Sequence, residues 1–424
     1  MTRYISQWHF NPRRKAIHCT SSIGILTSAL VSKGLQTSQP GKFNGTGCRP
    51  EMITGAIWPK PRGSEAIPQY SYLNSIQIDQ VLDRLNRYHI NGLQFYDWHH
   101  KHHKPLKGTP DNPASTWNDI ANRTNYFATV QGYILGAHKR HMKAMAYNLL
   151  YGAWEDALPD GVLPEWRLFH DSAHQQPDFH DLPSSWASDI YLMDPTNQKW
   201  MDYIFSTTRD ALTALPFDGW HIDQLGDRGT LYNYQGQAVN LANSFLPVIQ
   251  QAKDSLGVDL VMNAVNQFGQ GGISLAPVDF LYTEVWAPNT QYADLASVIV
   301  YNNFLGHNNL KSVLAAYINH DLSGSPGQFN SPAVLLADAV IFAAGGAHLE
   351  LGEHMLGSEY FPNSNLSMSQ DLQTALIRYY DFLGYFHPAN RGPLYALRLP
   401  AAGQDLGHRQ EIQPPYALSP DKFQ

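Results

Sequence analysis

The sequence predicts an α/β protein whose centre is a (β/α)₈ TIM barrel, and three observations support this. From residue 68 onward, short apolar runs alternate with amphipathic helical stretches, which is typical of a parallel sheet covered by helices. Eight such units extend over about 320 residues, against the ~250 residues of a barrel before loop insertions. An open doubly wound sheet is disfavoured, because no Gly-rich phosphate loop follows the first strand and no G-x-x-x-x-G-K-[ST] motif occurs.

The strands are predicted from the apolar runs. In chain order they are residues 69–73, 90–98, 143–152, 219–226, 259–266, 280–286, 311–319 and 347–353. Because a helical stretch follows most of these runs, we expect the strands to pair in parallel.

The helices are predicted from apolar residues that recur every three or four positions. In chain order they are residues 76–89, 126–141, 198–215, 237–256, 293–305, 332–344 and 370–386. The fourth shows the period most clearly, with Leu241, Phe245, Val248 and Ile249 on one face. Residues 153–197, between the third and fourth strands, form a long insertion that we expect to be a lid or a groove wall.

Composition restricts the class of protein. The chain has 424 residues, a formal net charge of −7, and 15% charged against 43% hydrophobic residues, as in a folded globular protein. The net negative charge argues against nucleic acid as a partner. The chain contains no uninterrupted apolar run of about 18 residues, so no membrane span is expected. Ten Trp and 23 Tyr exceed what a plain core requires and suit a cleft that stacks on sugar rings, although a large core alone would also accommodate them. We therefore expect neither nucleic acid nor a membrane as partner.

The two ends of the chain differ in composition from its body. Residues 1–67 carry nine Lys or Arg against two acidic residues and hold both cysteines, Cys19 and Cys48. We expect this basic segment, a catalytic barrel at 68–384 and a Pro- and Gly-dotted tail at 385–424. Both extensions are atypical, and we expect them to be truncated or disordered. The apolar run 23–31 follows three basic residues, yet its Ser and Thr residues make it a poor signal peptide.

Acidic residues recur where the predicted strands end. In (β/α)₈ barrels the carboxyl ends of the strands carry the chemistry. The acids at these ends are Asp97, Asp223, Glu284, Glu350 and Glu353. Helix capping or a buried ion pair explains any single one of them equally well. Taken together, beside tryptophans, they favour a sugar-binding site. The candidate substrate contacts are Tyr96, Asp97, Trp98, His221, Gln224, Asn263, Trp286 and Glu350.

Asp223 and Glu284 are the candidate catalytic pair. Glycoside hydrolysis needs two carboxylates, one to attack or to activate water and one to protonate the leaving oxygen. A separation of about 5 to 5.5 Å gives retention of configuration, and one of roughly 6.5 to 9.5 Å gives inversion. The two acids end the fourth and sixth predicted strands, so we expect them to converge over the barrel mouth.

The run H-H-K-H-H at 99–103 invites interpretation as a metal site. Neither H-E-x-x-H nor a Cys pair with zinc spacing occurs in the chain. We therefore expect no metal and no cofactor, and interpret the run as a loop that binds sugar hydroxyls or is simply solvated.

Three short motifs follow one another along the chain. They are F-Y-D-W at 95–98 followed by H-H-K-P at 102–105, F-D-G-W-H-I-D-Q-L-G at 217–226, and D-F-L-Y-T-E-V-W at 279–286. Together they resemble glycoside hydrolase family 66, over about residues 68–383. The resemblance implies a secreted enzyme that acts on α-1,6-glucan through a covalent glycosyl-enzyme intermediate, and endo-dextranases are one class of the family.

By this resemblance Asp223 is the nucleophile and Glu284 the general acid/base of a retaining mechanism. We expect polar neighbours such as His221 and Gln224 to keep Asp223 ionised. The apolar surroundings of Glu284, beside Val285, would let it keep a proton to donate.

Two other functions stay open. The family also contains cycloisomaltooligosaccharide glucanotransferases, in which a sugar hydroxyl replaces water as the acceptor. Such cyclising enzymes often carry a long carbohydrate-binding insertion within the barrel, and residues 153–197 are too few for one, which favours the dextranase. The other alternative is a non-catalytic glycan-binding barrel from a truncated reading frame, because neither end of the chain resembles the β-sandwich domains of the family.

Overall fold

Short parallel strands form the centre of the fold. The structure is a computed structural model that describes residues 54–56, 70–307, 309–351 and 366–386. Its parallel strands are β1 (Thr54–Ala56), β2 (Gly92–Phe95), β3 (Lys143–Leu149), β4 (Gly219–Asp223), β5 (Asp259–Met262), β6 (Leu281–Glu284), β7 (Ser312–Ala315), β8 (Ala347–His348) and β9 (Glu350–Leu351).

These strands pair in two sheets. Six of them form one sheet in the order β5-β4-β3-β2-β1-β9, and three form another in the order β6-β7-β8. All pairs in both sheets are parallel. An isolated parallel bridge joins Asn263, just after β5, to Tyr282 in β6. A single residue, Leu349, separates β8 from β9. The chain therefore has an α/β fold with parallel sheets.

Helices follow most of the strands, as the sequence predicts. They are α1 (Ser75–Arg87), α2 (Phe127–Lys139), α3 (Gln198–Ala214), α4 (Leu241–Leu256), α5 (Gln270–Ile273), α6 (Tyr292–Leu305), α7 (Ser331–Ala343) and α8 (Gln370–Phe386). Asparagine side chains cap α1, α3, α4 and α7 by accepting a backbone N–H of the first turn. Within the described residues, no helix is both long and apolar enough to cross a bilayer.

Seven of the eight predicted strands are confirmed, although each is shorter than predicted, and the first one is wrong. Residues 70–73 form no strand, and β1 lies at Thr54–Ala56 instead, where it pairs with β2 and β9. Within this run Tyr70 belongs to the core, where its buried ring stacks on Phe95 at 6.1 Å, whereas Tyr72 is exposed. Residues 1–53 and 387–424, most of the two predicted extensions, lie outside the described residues, so the domain boundaries stay predictions.

The insertion 153–197 is tied to the loop that follows β2. Its short antiparallel strands are Gly152–Trp154, Phe179–His180 and Ile190–Leu192. Asp160 of the insertion accepts hydrogen bonds from Lys101 at 3.0 Å and from Lys104 at 2.8 Å, and it contacts His103 at 3.2 Å. Burial alone raises the pKa of Asp160, but the two lysines and His103 hold it well below its ordinary value. This ionic cluster fixes the insertion over the end of the sheet.

Gly219 lies where β4 and β5 approach each other closely. A Cβ atom at this position would be 2.3 Å from the backbone carbonyl oxygen of Asp259. We expect Gly219→Ala to destabilise the fold by about 2 kcal/mol and to lower Tm by several degrees, because paired backbone must move apart. Gly271→Ala is the matched control, since no atom lies within 4 Å of its added Cβ. Equal Tm values for the two variants, measured by circular dichroism, would contradict this close approach.

Candidate active site

Two carboxylates lie at the carboxyl edge of the sheets. Asp223 is the last residue of β4 and Glu284 the last residue of β6. Asn263 follows β5, the strand between them in chain order, and each carboxylate is half-buried. Because the carboxyl ends of parallel strands share one edge, three strands bring these side chains together.

The side-chain amide of Asn263 contacts both carboxylates. Its Nδ2 donates to Asp223 Oδ1 at 2.8 Å and to Glu284 Oε2 at 3.0 Å. Its Oδ1 accepts the backbone N–H of Glu284 at 3.2 Å, which assigns the orientation of the amide. The two N–H bonds of an amide diverge by roughly 120°, so the two carboxylate oxygens that they reach lie about 5 Å apart.

Two buried tyrosines also hydrogen-bond the pair. The hydroxyl of Tyr147, in β3, donates to Asp223 Oδ2 at 2.7 Å. The hydroxyl of Tyr317, just after β7, donates to Glu284 Oε1 at 2.7 Å. Each carboxylate therefore accepts from one tyrosine and from the shared asparagine, which holds both in fixed orientations.

The surroundings of Asp223 act in opposite directions on its protonation. Burial raises the pKa of Asp223 above its ordinary value, while hydrogen bonds from Tyr147, Asn263 and the backbone of Gln224 lower it. The expected hydrogen bond from His221 is not made, since neither ring nitrogen of His221 has a hydrogen-bond partner within the described residues. The groups that favour ionised Asp223 are therefore mainly Tyr147 and Asn263, whereas the sequence predicted His221 and Gln224.

A cleft of about 210 Å³ opens beside the pair. Tyr96, Asp97, Gln224 and Trp286, all predicted substrate contacts, line it together with both carboxylates. The insertion contributes His180, Leu182, Trp186 and Ile190, so it forms one wall of the cleft, as expected of a groove wall. The Gln224 side chain also bonds backbone, donating to Asn263 O at 3.1 Å.

Three predicted contacts whose side chains are described, Trp98, His221 and Asn263, are not among the residues that line the cleft, and Asn263 instead hydrogen-bonds the two carboxylates. Trp98 is 1% exposed, and its indole N–H donates to the carbonyl oxygen of Tyr147 at 3.2 Å. His221 is equally buried, with its ring against that of Tyr282 at 4.6 Å, and burial lowers its pKa to about 3. Both therefore pack behind the cleft wall rather than in it. The backbone of Glu350 belongs to β9, but its side chain and Glu353 lie outside the described part of the chain.

Sequence reasoning missed three residues of this site. Tyr147 and Tyr317 were not singled out, although each is a hydroxyl in an apolar run near the end of a strand. Trp186, in the insertion, lines the cleft beyond the sheet edge. Which of the 23 tyrosines faces a carboxylate depends on strand pairing. The local sequence does not show that pairing, so it could not single out these two tyrosines.

Asp97 is held in an unusual environment at one side of the cleft. Its backbone is in the left-handed region, with φ of 49°. Burial raises its pKa to about 7, although Arg123, whose guanidinium lies 3.6 Å from Asp97 Oδ2, acts in the other direction. Asp97, His99 and His102 each place one polar atom within 4.8 Å of the others.

The resemblance to a known family is confirmed. A model of glycosyl hydrolase family 66 matches residues 64–388. A cycloisomaltooligosaccharide glucanotransferase of Niallia circulans is 34% identical over 272 residues, which is 60% of this chain and 28% of the relative. A dextranase of Streptococcus salivarius is 25% identical over 361 residues, 73% of this chain and 43% of the relative. The chain thus spans less than half the length of these relatives.

A solved structure shares the fold. It is a crystal structure of a Paenibacillus sp. cycloisomaltooligosaccharide glucanotransferase complexed with cycloisomaltoheptaose, and it matches with a TM-score of 0.72 at 24% identity. The match covers 78% of this chain and 66% of that protein. Because the family model matches more than half of the sequence, the chain belongs to glycosyl hydrolase family 66.

Proposed function

We propose that the chain is a retaining enzyme of α-1,6-linked glucan, with Asp223 as nucleophile and Glu284 as general acid/base. The observation that carries this proposal is the amide of Asn263, which donates to both carboxylates. The resulting spacing of about 5 Å fits a retaining pair and is too short for an inverting one, which needs roughly 6.5 Å or more. The substrate class rests on the relatives, which are named for cycloisomaltooligosaccharides and for dextran.

The reaction then has two steps. Asp223 attacks the anomeric carbon while Glu284 gives its proton to the glycosidic oxygen, so the bond to the leaving sugar breaks and a glycosyl ester forms. Glu284, now a carboxylate, takes a proton from the incoming hydroxyl, whose oxygen displaces Asp223. Tyr147 holds the nucleophile and Tyr317 holds the acid/base, so both can act without first reorienting.

We further propose that the strands close into the (β/α)₈ barrel that the sequence predicts. The bridge between Asn263 and Tyr282 supports contact of the two sheets on one side. On the other side β8 pairs with β7, and β9, one residue later, pairs with β1. When β8 and β9 are counted as one strand, the parallel strands number eight and follow one another in a closed order.

Water is proposed as the main acceptor, which makes the enzyme an endo-dextranase. The insertion after β3 holds 45 residues or fewer and is tied down by Asp160, so it offers no separate carbohydrate-binding module. The higher identity to the two relatives named cycloisomaltooligosaccharide glucanotransferases, 34% and 33%, favours cyclising transfer as the second candidate. Export of the chain, implied by family resemblance, stays a prediction.

Product analysis tests the activity. We expect dextran to yield linear isomaltooligosaccharides, resolved by chromatography, whose new reducing ends carry the α configuration when first formed, as seen by proton NMR before mutarotation. Cyclic products would support transfer instead. Products first formed in the β configuration would contradict the retaining mechanism, and binding of dextran without turnover would contradict catalysis.

The pH profile tests the role of Asn263. The hydrogen bond from Asn263 favours ionised Asp223 and so lowers its pKa. Asn263→Leu removes this donor, which raises the pKa of Asp223, and the nucleophile must be ionised to attack. We therefore expect the acid limb of kcat/KM to move to higher pH by about one unit.

Two matched variants accompany this measurement. Tyr147→Phe removes the other side-chain donor to Asp223 and should move the acid limb in the same direction. Tyr317→Phe removes a donor to Glu284 only and should leave the acid limb in place. An acid limb that stays unchanged in Asn263→Leu would contradict the assignment of that limb to Asp223.

A further inference from the structure

A second cavity lies between α3 and α4, apart from the cleft that holds the two carboxylates. Its volume is about 480 Å³, and it shares no lining residue with that cleft. Its walls come from the start of α3, one face of α4 and the segment between β4 and α4. Both helices follow strands of the parallel sheet, so they begin at its carboxyl edge, where Asp223 and Glu284 also lie. A long ligand can therefore contact both cavities.

Neutral amides are the main polar groups of this second cavity. Among the described residues that line it, none carries an ionisable side chain. Met201, Val239 and Pro247 add apolar surface. The amides belong to Gln198, Asn233, Gln237, Asn240, Asn243 and Gln251. Because the lining carries no charge, it favours a neutral ligand over a phosphate, a carboxylate or an amine. Amides beside apolar surface suit a sugar, whose hydroxyl groups both donate and accept.

Hydrogen bonds within the protein set the direction of three of these amides. Asn233 Nδ2 donates to Gln237 Oε1 at 3.0 Å, so the Gln237 amide directs its N–H groups elsewhere. Asn240 Oδ1 accepts a backbone N–H of the first turn of α4 at 3.1 Å, which leaves its N–H groups as donors. Gln198 Nε2 donates to Asp202 at 2.8 Å, which leaves its carbonyl oxygen as an acceptor. The cavity thus offers oriented donors and an oriented acceptor, as recognition of hydroxyl groups requires.

A proline inside α4 adds a backbone acceptor. Pro247 has no N–H, so it cannot give the usual helical hydrogen bond to the carbonyl oxygen of Asn243, one turn earlier. Both residues line the cavity, on the same face of α4 as Gln251. A proline in a helix interior is destabilising, and a role in ligand binding gives a reason for its presence at this position.

We propose that this cavity binds a segment of α-1,6-glucan as a second, non-catalytic site. The inference rests on the proposed function for the identity of the polymer, and it deepens that function by explaining a preference for long chains. Once one segment of a dextran chain occupies the cleft, binding of another segment of the same chain is intramolecular. The second site therefore raises the affinity for dextran but not for sugars too short to reach it.

Affinity electrophoresis in gels that contain dextran tests the site without turnover, in Asp223→Asn enzyme. In this background we expect the double substitution Asn243→Ala and Gln251→Ala to raise the dissociation constant for dextran about fivefold to fiftyfold, because two side chains that bond the glucan are removed. Gln250→Ala is the matched control, since this residue of α4 does not line the cavity and its amide donates to Asp254. Each of these pocket and control substitutions is neutral, so mobility without dextran should not change.

Kinetics separates the second site from the cleft. The double variant with Asp223 intact should raise KM for dextran by a similar factor and keep kcat/KM for α-isomaltosyl fluoride within about twofold. Pro247→Ala restores the helical N–H and should weaken dextran binding without lowering Tm. Unchanged dextran affinity in the double variant, or an equal loss in Gln250→Ala, would overturn the second site, while dextran cleavage by the wild-type enzyme would still support the proposed function. Binding of dextran that depends on Asn243 and Gln251, without any cleavage by the wild-type enzyme, would support the second site and contradict the proposed function.

Discussion

Asp223→Asn is expected to lower kcat on dextran by about 10⁴-fold or more, because the amide cannot form the glycosyl ester. The amide can still contact Tyr147 and Asn263, the two side chains that contact the carboxylate, so the fold should be retained. The measurement is release of reducing sugar, with circular dichroism as the control for folding. A loss below about tenfold would exclude Asp223 as the nucleophile.

Chemical rescue sharpens this prediction. Asp223→Gly leaves space where the carboxylate stood, and azide can then attack the anomeric carbon of an α-isomaltosyl fluoride from that side. We expect the β-glycosyl azide, because a single displacement inverts the configuration. Azide that fails to restore turnover, or that gives the α-azide, would contradict the position assigned to Asp223.

Much of the site was predictable because parallel strands impose simple rules. A polar residue that ends an apolar strand reaches the carboxyl edge of the sheet, whatever the surrounding loops do. Asp223 and Glu284 end β4 and β6, and that property made them stand out. The convergence of the two followed from their strands being close in chain order.

The remaining parts of the site depend on which strands are neighbours. Tyr147 meets Asp223 because β3 pairs with β4, which places their strand ends side by side. Tyr317 meets Glu284 because β7 pairs with β6. The local sequence pattern does not show which strands pair, so the hydrogen bonds that orient the carboxylates were not predicted.

The first strand shows a different limit. Thr54–Ala56 holds only three residues of strand and lies within the basic segment 1–67. The basic composition of that segment led us to place it outside the predicted barrel, whereas the backbone of Thr54–Ala56 pairs with β2 and β9. A strand of three residues shows no periodic pattern of its own and is recognised only by its pairing with two neighbours. The apolar pattern of the sequence therefore favoured the longer run at 69–73.

Glu284→Gln is expected to lower kcat on dextran by about 10³-fold, because the sugar leaving group departs poorly without a proton. An α-isomaltosyl fluoride needs no such proton, so the variant should still form the glycosyl ester on Asp223. Its breakdown by water should then become slow, since Gln cannot act as the base. A burst of fluoride release followed by a slow steady rate is the expected signature, measured with a fluoride electrode.

Azide distinguishes the two carboxylates by stereochemistry. It needs no base, so it should speed turnover of the fluoride by Glu284→Gln, and attack on the ester of Asp223 should give the α-glycosyl azide. Asp223→Gly should give the β-azide from the same reagents, because it reacts in one displacement rather than two. Identical anomers from the two variants would mean that the roles of Asp223 and Glu284 are not those of nucleophile and acid/base, whatever the size of the rate losses.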